Sequence, residues 1–128
     1  MTTGMLRRFG LLAGLAGPIA CTEPVYCTAD VKKALTVGVR APGGGDITPT
    51  ARIDVTRNGA VVPQSEVWYA ATGAPASTPI AIYGTGGRYS ITVHSSSYRD
   101  TTVTADVLDD VCGPAQPPRA LTVVLTAL

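Results

Sequence analysis

The residues with most capacity for chemistry are His94 and the run Ser95-Ser96-Ser97 that follows it. A histidine beside a hydroxyl suggests acyl transfer, in which the imidazole takes the serine proton while a carboxylate holds the ring in the required tautomer. Adjacent side chains on a strand point to opposite faces, which argues against such a partnership between neighbours. The expectation is a solvent-facing histidine at a strand end, and hydrolysis at His94 ranks last among the functional readings. The cysteines offer a second chemistry. Cys27 lies just ahead of the first strand and Cys112 between the last two, so a bond between them would pin the chain's beginning to its end. Closing so long a loop stabilises a fold by roughly 4 kcal/mol in the chain-entropy picture. That pairing is expected over free thiols in an oxidising compartment. Two cysteines and one histidine so far apart lack the paired spacing of a structural zinc site. Asp106, Asp109 and Asp110, with Asp46 or Asp100, carry hard oxygen ligands but no EF-hand spacing, and read as solvated turn carboxylates. No metal and no cofactor is expected. Trp68 and Tyr69 are the candidate ligand contacts, since an exposed aromatic can stack on a sugar ring or meet a protein partner. The competing reading is core and edge packing.

Strands must position all of these residues. Leu35, Val37 and Val39 alternate with Thr36, Gly38 and Arg40, the two-residue period of a half-buried strand. Pro42-Gly43-Gly44-Gly45-Asp46 then breaks the chain. Ile53 and Val55 lead into Asn58-Gly59, whose residues both tolerate positive φ, so a hairpin return through Val61-Val62 follows. Val67 and Tyr69 mark a third strand, with Trp68 on the parity of Glu66 and therefore toward solvent. Ile80 to Tyr83 form a fourth, after a loop over Gly73 to Pro79. Tyr89, Ile91 and Val93 share one face, with Tyr89 in the core; Thr101 to Val107 supply the mate, and Leu121, Val123 and Leu125 close the series. Seven short strands with turn signals every 8–12 residues or so predict an all-β chain folded as a seven-stranded antiparallel β-sandwich.

The first stretch reads as an address. Arg7-Arg8 precede the apolar run Phe9 to Ala16, and small residues lead up to Cys21, the plan of a secretory signal over residues 1–20. The run is too short for a permanent bilayer span. With Arg7 and Arg8 in the leader, eight of the ten Lys and Arg residues remain against nine Asp and Glu. Beyond the leader only Lys32 and Lys33 are adjacent, so nothing resembles the basic face of a nucleic-acid binder. Ile19-Ala20-Cys21 resembles the lipobox of bacterial lipoproteins, with Pro18 where that family usually carries an aliphatic residue. The resemblance implies a diacylglycerol on Cys21, with membrane attachment as the consequence; a free or paired thiol is the alternative. Thr22 is not the Asp that retains lipoproteins at an inner membrane, so the resemblance implies the outer membrane, with a secreted or periplasmic protein as the alternative. Residues 21–34 read as a tether and 35–128 as the folded domain.

The order Leu35-Thr36-Val37, Ala51 to Val55 with Asn58-Gly59, Gly86-Gly87-Arg88-Tyr89-Ser90-Ile91-Thr92-Val93 and Ser97-Tyr98 resembles the carboxypeptidase-regulatory-like, or prealbumin-like, domain. Ser97 stands where that family usually carries glycine. The resemblance implies a seven-stranded sandwich that accompanies or displays something else without chemistry of its own. The hydroxyisourate hydrolases with a related domain rely on several histidines and a specific C-terminal tail; here there is one histidine and the chain closes Leu125-Thr126-Ala127-Leu128. Together these residues point to a non-enzymatic envelope lipoprotein whose domain meets another envelope protein or a glycan. A carbohydrate-binding module using Trp68 and Tyr69 is the second reading.

Overall fold

A computed structural model of the chain describes Cys27 and residues 31–128. The signal segment over 1–20, Pro18, Cys21 and most of the tether lie outside the described residues. The fold is all-β, with two 3-10 turns and, among the described residues, no helix long and apolar enough to cross a membrane. Ten strands occur among the described residues: β1 (Lys33–Arg40), β2 (Arg52–Arg57), β3 (Ala60–Val61), β4 (Val67–Trp68), β5 (Ile80–Tyr83), β6 (Gly87–His94), β7 (Thr101–Val107), β8 (Asp109–Asp110), β9 (Gly113–Pro114) and β10 (Arg119–Val124). They make a four-stranded sheet in the order β10-β1-β5-β4, a second in the order β3-β2-β6-β7, and the hairpin β8-β9.

Alternation explains both large sheets. Leu35, Val37, Val39, Ile80, Ile82 and Val123 from the first meet Ile53, Val55, Tyr89, Ile91, Val93 and Val107 from the second in one buried cluster. Full burial of each such side chain is worth about 1.5–3 kcal/mol. Tyr89 is wholly buried, as its parity predicts. Asn58 and Gly59 have φ of 53° and 83°, the left-handed pair that the tight β2-β3 hairpin requires.

The structure departs from the predicted architecture in strand count and in direction. Seven of the ten strands are the predicted ones, and β3 is the hairpin return expected after Asn58-Gly59, set one residue earlier at Ala60–Val61; β8 and β9 are additional and only two residues long. The first strand begins at Lys33, ahead of the predicted boundary at 35. The sheets are not wholly antiparallel, because β1 and β10 run parallel, with Leu35 opposite Arg119 and Arg40 opposite Val124. Both strands set out from the same end of the molecule, and Cys27 and Cys112 precede them. These two cysteines are disulfide-bonded with Cα atoms 5.2 Å apart, across 85 residues of sequence. The bond therefore fastens the lead-in of the first strand to the lead-in of the last.

That end also holds the close of β5, the close of β7 and the β8-β9 hairpin, where Leu108 and Val111 are 74% and 71% exposed. The other end is built from the Pro42–Asp46 turn, the loop between β4 and β5, the Ser95–Asp100 loop and the last residues of the chain, joined by Leu125 N–H to Arg40 O and Arg99 N–H to Thr126 O.

Candidate functional site

The groups with chemical potential gather at the end remote from the disulfide. His94 closes β6 and lies opposite Arg52 of β2. Its Nε2 is 2.7 Å from Asp54 Oδ2 and its Nδ1 is 2.9 Å from Asp100 Oδ2. Asp54 comes from the outward parity of β2, and Asp100 from the loop entering β7. The hydrogen bond with Asp54, followed by the one with Asp100, raises the His94 pKa above its ordinary value, because both stabilise the protonated ring.

The serines are arranged differently from a triad. The buried Ser95 hydroxyl is 2.9 Å from the Thr50 hydroxyl, while Ser96 and Ser97 are exposed; no serine bonds to His94 among the described residues. With a carboxylate on each ring nitrogen, the imidazole has no vacant nitrogen aimed at a hydroxyl. Nor do the three side chains converge as metal ligands, since the carboxylates occupy opposite sides of the ring, and no three-residue metal-binding group occurs among the described residues. Asp106 lies 3.9 Å from Arg88, Asp109 accepts from Gly86 N–H at 2.7 Å, and Asp110 accepts from Val111 N–H at 2.8 Å. Asp109 and Asp110 thus serve the turns around β8, whereas Asp106 is no turn carboxylate but stands on β7 in a cross-strand pair with Arg88 of β6.

Trp68 and Tyr69 are adjacent in sequence but point to different places. Trp68 is 46% exposed on the outer face of the first sheet, in a row with Ala81, Thr36 and Ala120. Tyr69 packs against the core from the open side between the sheets. Its hydroxyl accepts from Ile53 N–H at 3.0 Å and donates to Gln64 Oε1 at 3.3 Å, while Gln64 Nε2 donates to Ile53 O at 3.1 Å. The β2-β3 pairing covers only Thr56 and Arg57, so Tyr69 and Gln64 satisfy the backbone of β2 where no strand does.

Arg52 stacks over the Tyr69 ring, its guanidinium carbon 4.6 Å from the centroid. Ring and guanidinium line a cleft of about 240 Å³ closed by the β4-β5 loop, with Thr48, Thr72, Gly73 and Thr78 among its walls. Arg52 and Asp54 went unmarked in the sequence. Their outward parity on β2 is visible there, but His94 on β6 comes beside them only through a strand pairing about forty residues apart, and Tyr69 and Asp100 through loops that the fold returns to this end.

A second polar cluster lies at the disulfide end. Arg57 Nη1 is 3.3 Å from both Glu66 Oε1 and the Tyr89 hydroxyl, and Tyr89 donates in turn to Thr85 O. The bond to Tyr89 comes first among the interactions that raise the Arg57 pKa. This group supplies hydrogen bonds to the polar tip of a buried ring, a structural task.

Compared with known proteins, the chain matches no family model and no curated protein.

Proposed function

We propose that this chain is a non-enzymatic lipoprotein of the cell envelope, anchored through Cys21, whose two large sheets form a display sandwich of the carboxypeptidase-regulatory-like kind. The observation that carries the reading is polarity of the molecule. The Cys27–Cys112 bond ties the N-terminal lead to one end, while the cleft of Arg52 and Tyr69 and the His94 cluster occupy the other. Cys27 lies six positions after Cys21, with five residues between them, and a fully extended chain of that length spans at most about 20 Å. A lipid on Cys21 would thus hold the disulfide end close to the bilayer, with exposed Val31, Leu108 and Val111 toward it, and turn the cleft outward. Loops on a rigid scaffold are where binding groups are usually carried.

Two features support the domain type. Ser97, in the place where the resembling family has glycine, has φ of 73°, the left-handed conformation that favours glycine. Tyr98 after it packs against the core. Intact mass of the membrane fraction tests the anchor. A chain trimmed to begin at a diacylated Cys21 is the expected species; unmodified Cys21 in soluble protein would refute it and leave a secreted or periplasmic module.

Carbohydrate binding through Trp68 is the second reading, favoured by its large ring standing among the small side chains of Ala81, Thr36 and Ala120. Binding on a glycan array that disappears in a folded Trp68→Ala variant would support it; an unchanged array profile would remove Trp68 from the account.

A further inference from the structure

We infer that the cleft between Arg52, Tyr69 and the β4-β5 loop is a binding site for a single acidic sugar residue, a uronate whose carboxylate is taken by Arg52. This goes beyond the display reading by naming the ligand class of the outward end.

The argument begins with an unpaired charge. Arg52 has two polar neighbours on the outer face of its sheet, Asp54 on its own strand and His94 opposite. Those two bond to each other at 2.7 Å, and Asp100 occupies the remaining ring nitrogen at 2.9 Å. The carboxylates that would ordinarily neutralise Arg52 are therefore committed elsewhere. Among the described residues no carboxylate stands within ion-pair distance of its guanidinium. The side chain instead lies over the Tyr69 ring, and its Nη1 donates to Ala51 O at 2.8 Å. Among the described residues that is its one hydrogen bond, so the Nε–Nη2 edge is unsatisfied by protein. Such an edge matches both oxygens of one carboxylate through parallel bonds. Tyr69 is fixed by Ile53 and Gln64, so the stacked guanidinium is pre-organised and little of its freedom is lost on binding.

The remaining walls suit a hydroxylated ring. Among the described residues Arg52 is the only charged one lining the cleft, and Thr72 and Thr78 add hydroxyls beside small residues. Gly73, at φ of 94°, makes the turn in the loop that lines the cleft. A volume of about 240 Å³ lies just below the range of drug-sized pockets and fits one ring in preference to a longer ligand.

The test is an NMR titration of the isotope-labelled full chain with sodium glucuronate, and with glucose and sodium acetate in parallel, at constant ionic strength. Glucuronate should shift the amides of Thr72, Gly73 and Ala74 and the Arg52 Nε–H saturably, with glucose and acetate each binding more weakly. Arg52→Gln should weaken glucuronate about tenfold or more, the loss of a charge-assisted pair. Arg52→Lys should lose nearly as much, because an ammonium cannot make the two parallel bonds. Arg40→Gln, which removes a cation elsewhere, should bind as the parent does. Glucose equal to glucuronate would overturn the role of the carboxylate, and acetate equal to it the role of the ring. Affinity surviving in Arg52→Gln, or shifts that never saturate, would overturn the site. None of these outcomes depends on lipid at Cys21, so a failed titration leaves the mass of the anchored species as an independent question.

Discussion

Each nitrogen of the His94 ring meets a carboxylate, so the protonated ring is held by two charge-assisted hydrogen bonds while the neutral ring keeps only one as donor. The folded pKa is raised, and its effect on stability has a definite sign. The contribution is fully present below the unfolded value near 6.5 and is lost as pH rises through the higher folded value. Asp54→Asn should bring the His94 pKa down, read from NMR titration of the ring. It should also flatten the decline of the urea midpoint through that window; an unaltered pKa would show that Asp54 does not hold the imidazolium. Tyr69 offers a second test at this scale. Tyr69→Phe removes the hydroxyl shared by Ile53 N–H and Gln64, and should cost about 1 kcal/mol in urea unfolding with the fold retained. No loss would mean that water replaces the hydroxyl at no net cost.

Turns and strand ends carry the next set of constraints. The loop between β6 and β7 passes through Ser97 at φ of 73°, where a Cβ is unfavourable. Ser97→Gly should therefore raise the thermal midpoint, with a gain of about 0.5–1 kcal/mol, the strain relieved exceeding the added freedom of the unfolded chain. A lower midpoint would show that the Ser97 side chain contributes to the loop. Gly86 is constrained by crowding. A Cβ there would stand 2.6 Å from Val107 O and 2.8 Å from Asp109 Oδ1, and its N–H already donates to that carboxylate. Gly86→Ala should push β8 away from the start of β6 and destabilise by about 1–3 kcal/mol, measured by thermal unfolding. Amide exchange should report the damage first in β8 and β9.

For the molecule as a whole, the disulfide and the parallel β1-β10 pair act on the same end. Parallel neighbours need a long connection, and here the connection is the whole intervening fold. Cys112→Ser frees the lead-in of β1 and should cost roughly 4 kcal/mol of stability, seen in the urea midpoint under non-reducing conditions. The inward faces of both sheets would remain paired, so strand content by circular dichroism should persist in the variant at low temperature. If the two midpoints coincide, the bond constrains only the lead-in and contributes nothing to the sandwich.

What the sequence determined by itself is local. The two-residue rhythm around Val37, Ile53, Ile91 and Val123 assigns inward and outward faces, because a strand's side chains alternate whatever it pairs with. Asn58-Gly59 specifies its turn, since few residue pairs accept those φ values; the Cys27–Cys112 bond, expected from their places ahead of the first strand and between the last two, is closed by the fold across 85 residues. The tertiary structure alone decided partners and register. It made β10 parallel to β1, set Asp54 and Asp100 on either side of His94, and sent Tyr69 inward beneath Arg52 while Trp68 stayed outside. Strand pairing joins residues far apart in the chain, and its register emerges from the packing of the whole core. No window of neighbouring residues contains it.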